Sequence, residues 1–183
     1  GAFDGIVARY DTQAAFDSGG SWSTFDATTV NANAKGFVGA AFDGRYVYLV
    51  PNNNGTTFNG IVTRYDTQAA YGSAGSWSTF DVSTVNAGAG GFSGAAFNGR
   101  YLYLVPSVNA VGVYHGIVTR YDTQAAFGSA GSWSTFDVST VNAGAKGFAG
   151  AAFDGRYLYL VPNNNGAFDG IVARYDTQAA FDS

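Results

Sequence analysis

GFVGAAFDGRYVYLVPNNNGTTFNGIVTRYD, residues 36–66, returns lightly edited at 91–122 and 147–176. A stretch that recurs at a period of about 55 residues marks an array of one supersecondary unit. Within it, GFVGAAF and RYVYLVP are joined by Asp43-Gly44, a dipeptide that accepts the positive φ of a tight hairpin turn. Asn98-Gly99 and Asp154-Gly155 form the same corner in the other copies. Pro51, Pro106 and Pro162 close the second strand, because proline has no N–H for the ladder. An Asn- and Gly-rich loop leads to a third strand, GIVTRYDT, and TQAAYGSAGS delivers a fourth, SWSTFDV. No segment sustains a helical period, so the chain is all-β.

Alternation along a strand decides how these sheets pack. In RYVYLV, Tyr46, Tyr48 and Val50 face one way while Val47 and Leu49 face the other. A sheet apolar on both faces must lie between other sheets. Four short antiparallel strands per unit, stacked radially, describe the blade of a β-propeller. The expected fold is therefore all-β with propeller-type blades: three repeats of four antiparallel strands plus one extra strand.

The extra strand comes from a duplication. Residues 1–18, GAFDGIVARYDTQAAFDS, are identical to 166–183 and form a partial repeat ahead of repeats 19–73, 74–129 and 130–183. Near-identity between units, with SWSTFDVSTVNAG present twice, points to recent amplification or to design. The chain lacks methionine even at its start, which points to processing or to a stretch of a longer polypeptide. Three blades are fewer than the four to eight of a closed ring. Two chains closing a six-bladed ring, or a head-to-tail filament, both answer that shortfall. The expected joint is the duplicated strand: Ile6, Val7, Arg9 and Tyr10 at one end, Ile171, Val172, Arg174 and Tyr175 at the other.

Composition removes several function classes. The 183 residues are 46% hydrophobic and 16% aromatic, which supports a packed core despite 26 glycines. All thirteen acids are aspartate, a turn former, and none is the helix-favouring glutamate. A net charge of −4, with nine scattered Lys and Arg, argues against nucleic acid, which needs a dense basic face. No apolar run reaches membrane-spanning length and no signal peptide is evident, so no membrane partner is expected. With no cysteine there is no disulfide, thiolate metal site or cysteine nucleophile. The acidic balance and scarce lysine lean slightly toward an extracellular setting.

The order RYDT, a loop, Trp133, a loop, KGF and then FDGRYLYLV is similar to the kelch repeats of β-propellers. Kelch repeats carry a Gly-Gly doublet after the tyrosine-containing strand, where this chain has Val-Pro at 50–51, 105–106 and 161–162. The resemblance implies a binding platform. It does not carry over the copper chemistry of related propeller oxidases, whose Cys and His ligands have no counterpart here.

Residues repeated in every unit read as structural, since an active site is built once. Asp11, Asp66, Asp122 and Asp176 sit in RYDT beside Arg9, Arg64, Arg120 and Arg174. They are expected to cap turns while the arginines cover the blades. His115 is the sole histidine. Its counterparts before Gly-Ile-Val are Asp4, Asn59 and Asp169, so it reads as a turn residue of the kind that tolerates a left-handed backbone. Ser21, Ser76 and Ser132 repeat without a local base and offer no nucleophilic triad.

Binding candidates lie where units differ or present aromatic faces. Trp22, Trp77 and Trp133 either stack on sugar rings or fill the gaps between blades. The loops NNNGTTFNG, SVNAVGVYHG and NNNGAFDG place Asn53, Asn54, Tyr114, His115, Asn164 and Asn165 at strand ends. Lys35, Gly90 and Lys146 vary beside them, expected on the same face of the disc. Asn54-Gly55-Thr56 fits the N-glycosylation pattern, no D-x-D-x-D-G calcium loop is present, and no glycine run cradles phosphate. No cofactor or metal is expected. The leading functional expectation is a non-enzymatic scaffold that assembles with itself; the alternative is a lectin-like propeller binding glycans weakly at each blade.

Overall fold

The computed structural model describes residues 3–181, so residues 1–2 and 182–183 of the duplicated segments lie outside it. It contains thirteen strands. These are β1 (Ile6–Tyr10), β2 (Trp22–Asp26), β3 (Phe37–Phe42), β4 (Tyr46–Pro51), β5 (Ile61–Asp66), β6 (Trp77–Asp81) and β7 (Phe92–Phe97). They continue with β8 (Tyr101–Pro106), β9 (Ile117–Asp122), β10 (Trp133–Asp137), β11 (Phe148–Phe153), β12 (Tyr157–Pro162) and β13 (Ala173–Asp176). Sequence neighbours pair antiparallel into four sheets, β1–β2, β3–β4–β5–β6, β7–β8–β9–β10 and β11–β12–β13. The fold is all-β with repeated four-stranded blades. Its thirteen strands group as two, four, four and three, because each blade takes its outer strand from the following sequence repeat.

The sheets stack face to face, with β3, β7 and β11 side by side along the inner edge. Tyr48, Val50 and Val62 of the first full blade pack on Leu102, Leu104 and Trp133 of the second. Leu49 turns the other way, toward Phe25, Tyr65 and Trp77. The second blade repeats the arrangement, sending Tyr103, Val105 and Val118 against Leu158, Leu160 and Phe181. Apolar residues on both faces of the strands in the two full blades are thus accounted for by a neighbour on both sides.

The hairpin corners differ in mechanism from the sequence expectation. Three residues, 43–45, link β3 to β4, and only Gly44 has a positive φ, 101°. Asp43 is selected as an acceptor: its Oδ1 takes the N–H groups of Arg45 and Tyr46 at 2.8 and 2.7 Å. Asn98 and Asp154 do the same at their corners. At the inner edge each blade carries a register break, between Phe92 and Gly94 for example. The carbonyls at these breaks bond to the preceding blade, Asn52 Nδ2 donating to Phe92 O at 2.8 Å and Ser93 Oγ to Phe148 O at 2.6 Å. At the outer edge Asp26, Asp81 and Asp137 end the fourth strand and cap a single 3-10 turn through the N–H two residues on.

Candidate functional site

The loop candidates come together, and their polar groups are mostly engaged with one another. Asn53 Oδ1 accepts from Gly55 N–H at 2.8 Å, and Asn164 Oδ1 from Gly166 N–H at 2.8 Å. Asn54 Oδ1 accepts from Thr56 and Thr57, both at 3.0 Å, while its Nδ2 faces Asn33 Oδ1 at 3.4 Å. Asn54 is buried, so the nitrogen that an N-glycan needs is enclosed in the folded chain. Asn165 Nδ2 donates to Gly144 O at 3.0 Å. These contacts join the loop after each second strand to the loop before the first strand, the pair expected to share a face. A cleft of about 190 Å³ lies among them, bordered by Asn33, Asn54, Asn59, Asp81 and Ser83.

His115 sits in the same layer. Its Nδ1 accepts from Ile117 N–H at 3.2 Å, the bond that Asp4, Asn59 and Asp169 make to Ile6, Ile61 and Ile171 at 2.9–3.0 Å. Its Nε2 lies 2.9 Å from Gly90 O and therefore carries the proton. The turn role holds, but its reason is the acceptor atom: no described non-glycine residue has a positive φ. Burial lowers the pKa of this imidazole, against the opposing pull of the Gly90 carbonyl and Asp137. Tyr114 is half-buried, packed across the Gly147 backbone.

The RYDT aspartates do cap turns, each Oδ1 accepting from the glutamine N–H two residues on. Three of them also pair with an arginine that sequence adjacency did not suggest: Arg45–Asp66 at 2.7 Å, Arg100–Asp122 at 2.7 Å and Arg156–Asp176 at 2.6 Å. The cause is register, which sets Tyr46 opposite Asp66 and Tyr101 opposite Asp122. Hydrogen bonding from these arginines holds the carboxyls below the usual aspartate range. The adjacent arginines cover the blades. Arg64 lies between the Tyr46 and Phe127 rings at 4.1 and 4.2 Å, and Arg120 between Tyr101 and Phe181 at 4.4 and 4.2 Å.

The tryptophans divide by position. Trp77 and Trp133 are buried between blades, stacked on Phe25 and Phe80 at 4.5 and 5.0 Å. Neither presents a free face for a sugar. Trp22, in β2, stacks on Tyr10 at 4.9 Å and remains 42% exposed. No cluster of three or more potential metal-ligating His, Cys, Asp or Glu side chains occurs among the described residues.

Equivalent residues therefore occupy unequal environments at the two ends of the stack. Val50 and Val105 are fully buried by the next blade, whereas Val161 is 47% exposed. Val62 and Val118 are likewise buried, and Val172 is exposed. Tyr71, Phe127 and Phe181 are buried while Phe16 is 69% exposed. Beside the last blade a cavity of about 420 Å³ opens over Phe136, Leu158, Leu160, Ile171, Tyr175 and Phe181. Of the expected assembly residues, Ile6, Arg9, Val172 and Arg174 are exposed, and Val7, Tyr10, Ile171 and Tyr175 are half-buried. Arg9 already covers Tyr71 at 4.3 Å, and Arg174 covers only its own blade's Tyr157, at 4.3 Å. Phe136 and Val161 are absent from the sequence-based set. Val161 has buried counterparts in Val50 and Val105, and Phe136 has counterparts in Phe25 and Phe80 that carry a stacked indole, so only the stacking order distinguishes them.

No protein-family model and no curated protein sequence matches this chain.

Proposed function

We propose that this protein is a non-enzymatic repeat scaffold whose biochemical act is head-to-tail assembly with copies of itself. The observation that carries the reading is the complementarity of its end sheets. β11–β13 fill the first three strand positions of a blade, β1–β2 fill the last two, and the shared third position has one sequence in both. One end exposes Trp22 and Phe16, and the other exposes Val161 and Val172 beside an apolar cavity. Contiguous apolar surface at both ends of a stack favours association over a free monomer. The kelch-like order of Tyr-Asp, Trp and Lys-Gly-Phe supports a propeller relationship for the blades.

Mass photometry with light scattering at micromolar concentration tests the reading. Twice the chain mass identifies a closed two-chain ring, and an open-ended distribution identifies a filament. A monomer as the only species at about 10 µM overturns it. The carbohydrate-binding alternative now rests on Trp22 and the polar cleft at Asn33 and Asp81, since the other tryptophans are enclosed. Glycan-array binding by a Trp22→Ala variant would assign any sugar site to the cleft.

A further inference from the structure

We propose, resting on the assembly reading above, that the joint forms by strand exchange: the β1–β2 hairpin of a second copy displaces β13 from β12, and Trp22 of that copy fills the cavity over Phe136. The internal blades provide the template. Between the two full blades, Trp133 lies on Phe80 and beside Tyr121, with ring centroids at 5.0 and 4.6 Å. At the last blade the corresponding surface is Phe136 beside Tyr175, and the cavity occupies the place of the indole. Trp22 is the one tryptophan without a preceding-blade phenylalanine stacked on it among the described residues. It has the tyrosine half of the sandwich, Tyr10. The cavity has the phenylalanine half.

Exchange is favoured over simple addition of β2 to the edge of β13 by how firmly each strand is held. β2 meets β1 through five residue pairs, from Ile6↔Asp26 to Tyr10↔Trp22. Arg9 Nε bonds Ser23 Oγ at 3.3 Å, Trp22 Nε1 bonds Phe16 O at 3.1 Å, and the Tyr71 hydroxyl bonds Val7 O at 2.6 Å. Separating β1 from β2 breaks the five-pair ladder and the Arg9–Ser23 bond, and withdrawing β1 from the stack also gives up the Tyr71 bond to Val7. β13 is held to β12 by four pairs, the same number that joins β5 to β4 and β9 to β8, while its residues 171–172 lack the fourth-strand partners that Asp81 and Phe80 give Ile61 and Val62. Among the described residues its outer edge has no strand partner.

The swap itself is nearly isoenergetic, because the leaving and entering segments have the same sequence. Phe16 of the second copy takes the seat of Phe181 against Tyr103 and Phe136, and Arg9 takes that of Arg174 over Tyr157. What is gained follows behind the entering strand: a fourth strand, an indole in the cavity, and a complete blade laid over Val161. Cooperative replacement of one identical strand by another, driven by the elements attached to it, is the logic of domain swapping.

Cysteine pairs locate the joint cleanly, because the chain contains no cysteine. Tyr159 pairs with Arg174 across β12 and β13, so exchange sets Arg9 of a second copy opposite Tyr159. An Arg9→Cys/Tyr159→Cys variant is expected to give reductant-sensitive dimers and larger ladders. Simple addition instead sets Ser23 opposite Arg174, as Ser134 lies opposite Arg120. Cross-linking through Ser23→Cys/Arg174→Cys, without the first pair, overturns exchange while leaving self-assembly standing. Assemblies that cross-link through neither pair also overturn it, and absence of any assembly removes both proposals. As a check on unmodified strand edges, Trp22→Ala should weaken assembly at least about tenfold with unchanged circular dichroism. An unchanged assembly constant would refute the cavity assignment.

Discussion

Trp133 lies flat against Phe80 of the preceding blade, with ring centroids 5.0 Å apart and planes within 7° of parallel. Trp77 repeats the contact on Phe25 at 4.5 Å and 5°. Each indole N–H is also bonded inside its own blade, Trp133 to Phe127 O and Trp77 to Tyr71 O, both at 3.0 Å. Replacing Trp133 by alanine leaves a cavity that stacked sheets cannot close, and is expected to cost about 3–5 kcal/mol. Trp22→Ala, at the exposed counterpart, should cost far less in the monomer. Urea unfolding of both variants at a concentration below assembly checks the contrast.

His115 should make stability fall on mild acidification. Its folded pKa is lowered, so the unfolded chain takes up the proton first. The contribution is complete above the unfolded value of about 6.5 and is lost as pH falls from there toward the folded value. Protonation also places an N–H on Nδ1, facing Ile117 N–H. His115→Asn retains the acceptor, as Asn59 does for Ile61 at 2.9 Å. The variant should show a flatter urea midpoint between pH 7.5 and pH 5, on the order of the window set by that imidazole. Equal slopes for both proteins would contradict the prediction.

Thr63 and Thr119 are fully buried, and their hydroxyls have no hydrogen-bond partner among the described residues. The same position is Ala8 in the first sheet and Ala173 in the last. Valine at 119 keeps the shape and removes an unpaired hydroxyl, so Thr119→Val is expected to stabilise by about 1 kcal/mol. A thermal or urea midpoint below that of the parent chain would show that the hydroxyl is satisfied in solution.

Gly91 has φ +61°, and a Cβ placed there would meet Val108 O at 1.7 Å. Backbone, not a movable side chain, stands in the way. Gly91→Ala should destabilise by more than about 2 kcal/mol, combining left-handed strain with displacement of the loop. Gly99→Ala, also at positive φ but with open space around its Cβ, should lose less.

The repeat period, the strand order and the two apolar faces of each strand were legible in the sequence because they are local. Partnership across strands was not. Arg120 adjoins Asp122 in sequence, yet the carboxylate binds Arg100, which the β8–β9 register delivers. Aligning the repeats was enough to identify His115 as a turn residue, and the atoms were needed to see that its ring nitrogen does the work. Val50 and Val161 occupy the same local pattern, but only Val50 has a blade laid over it. Position in the stack decides such a residue's environment, and no window of sequence encodes that position.

The inner strands FVGAAF, FSGAAF and FAGAAF have Gly-Ala-Ala centres between terminal phenylalanines, whereas the outer WSTFD strands carry an indole and a phenyl ring within five residues. At Gly94 a Cβ would reach to within 3.7 Å of the Gly150 Cα, so backbone nearly meets backbone there. Each blade is therefore a wedge, thin on one side and thick on the other. The difference in side-chain volume between those edges sets an angle per repeat, and hence the radius of whatever object the repeats build. Enlarging Ala95 or Ala151 would straighten that curve and change how many units complete a turn, with no strand pairing altered.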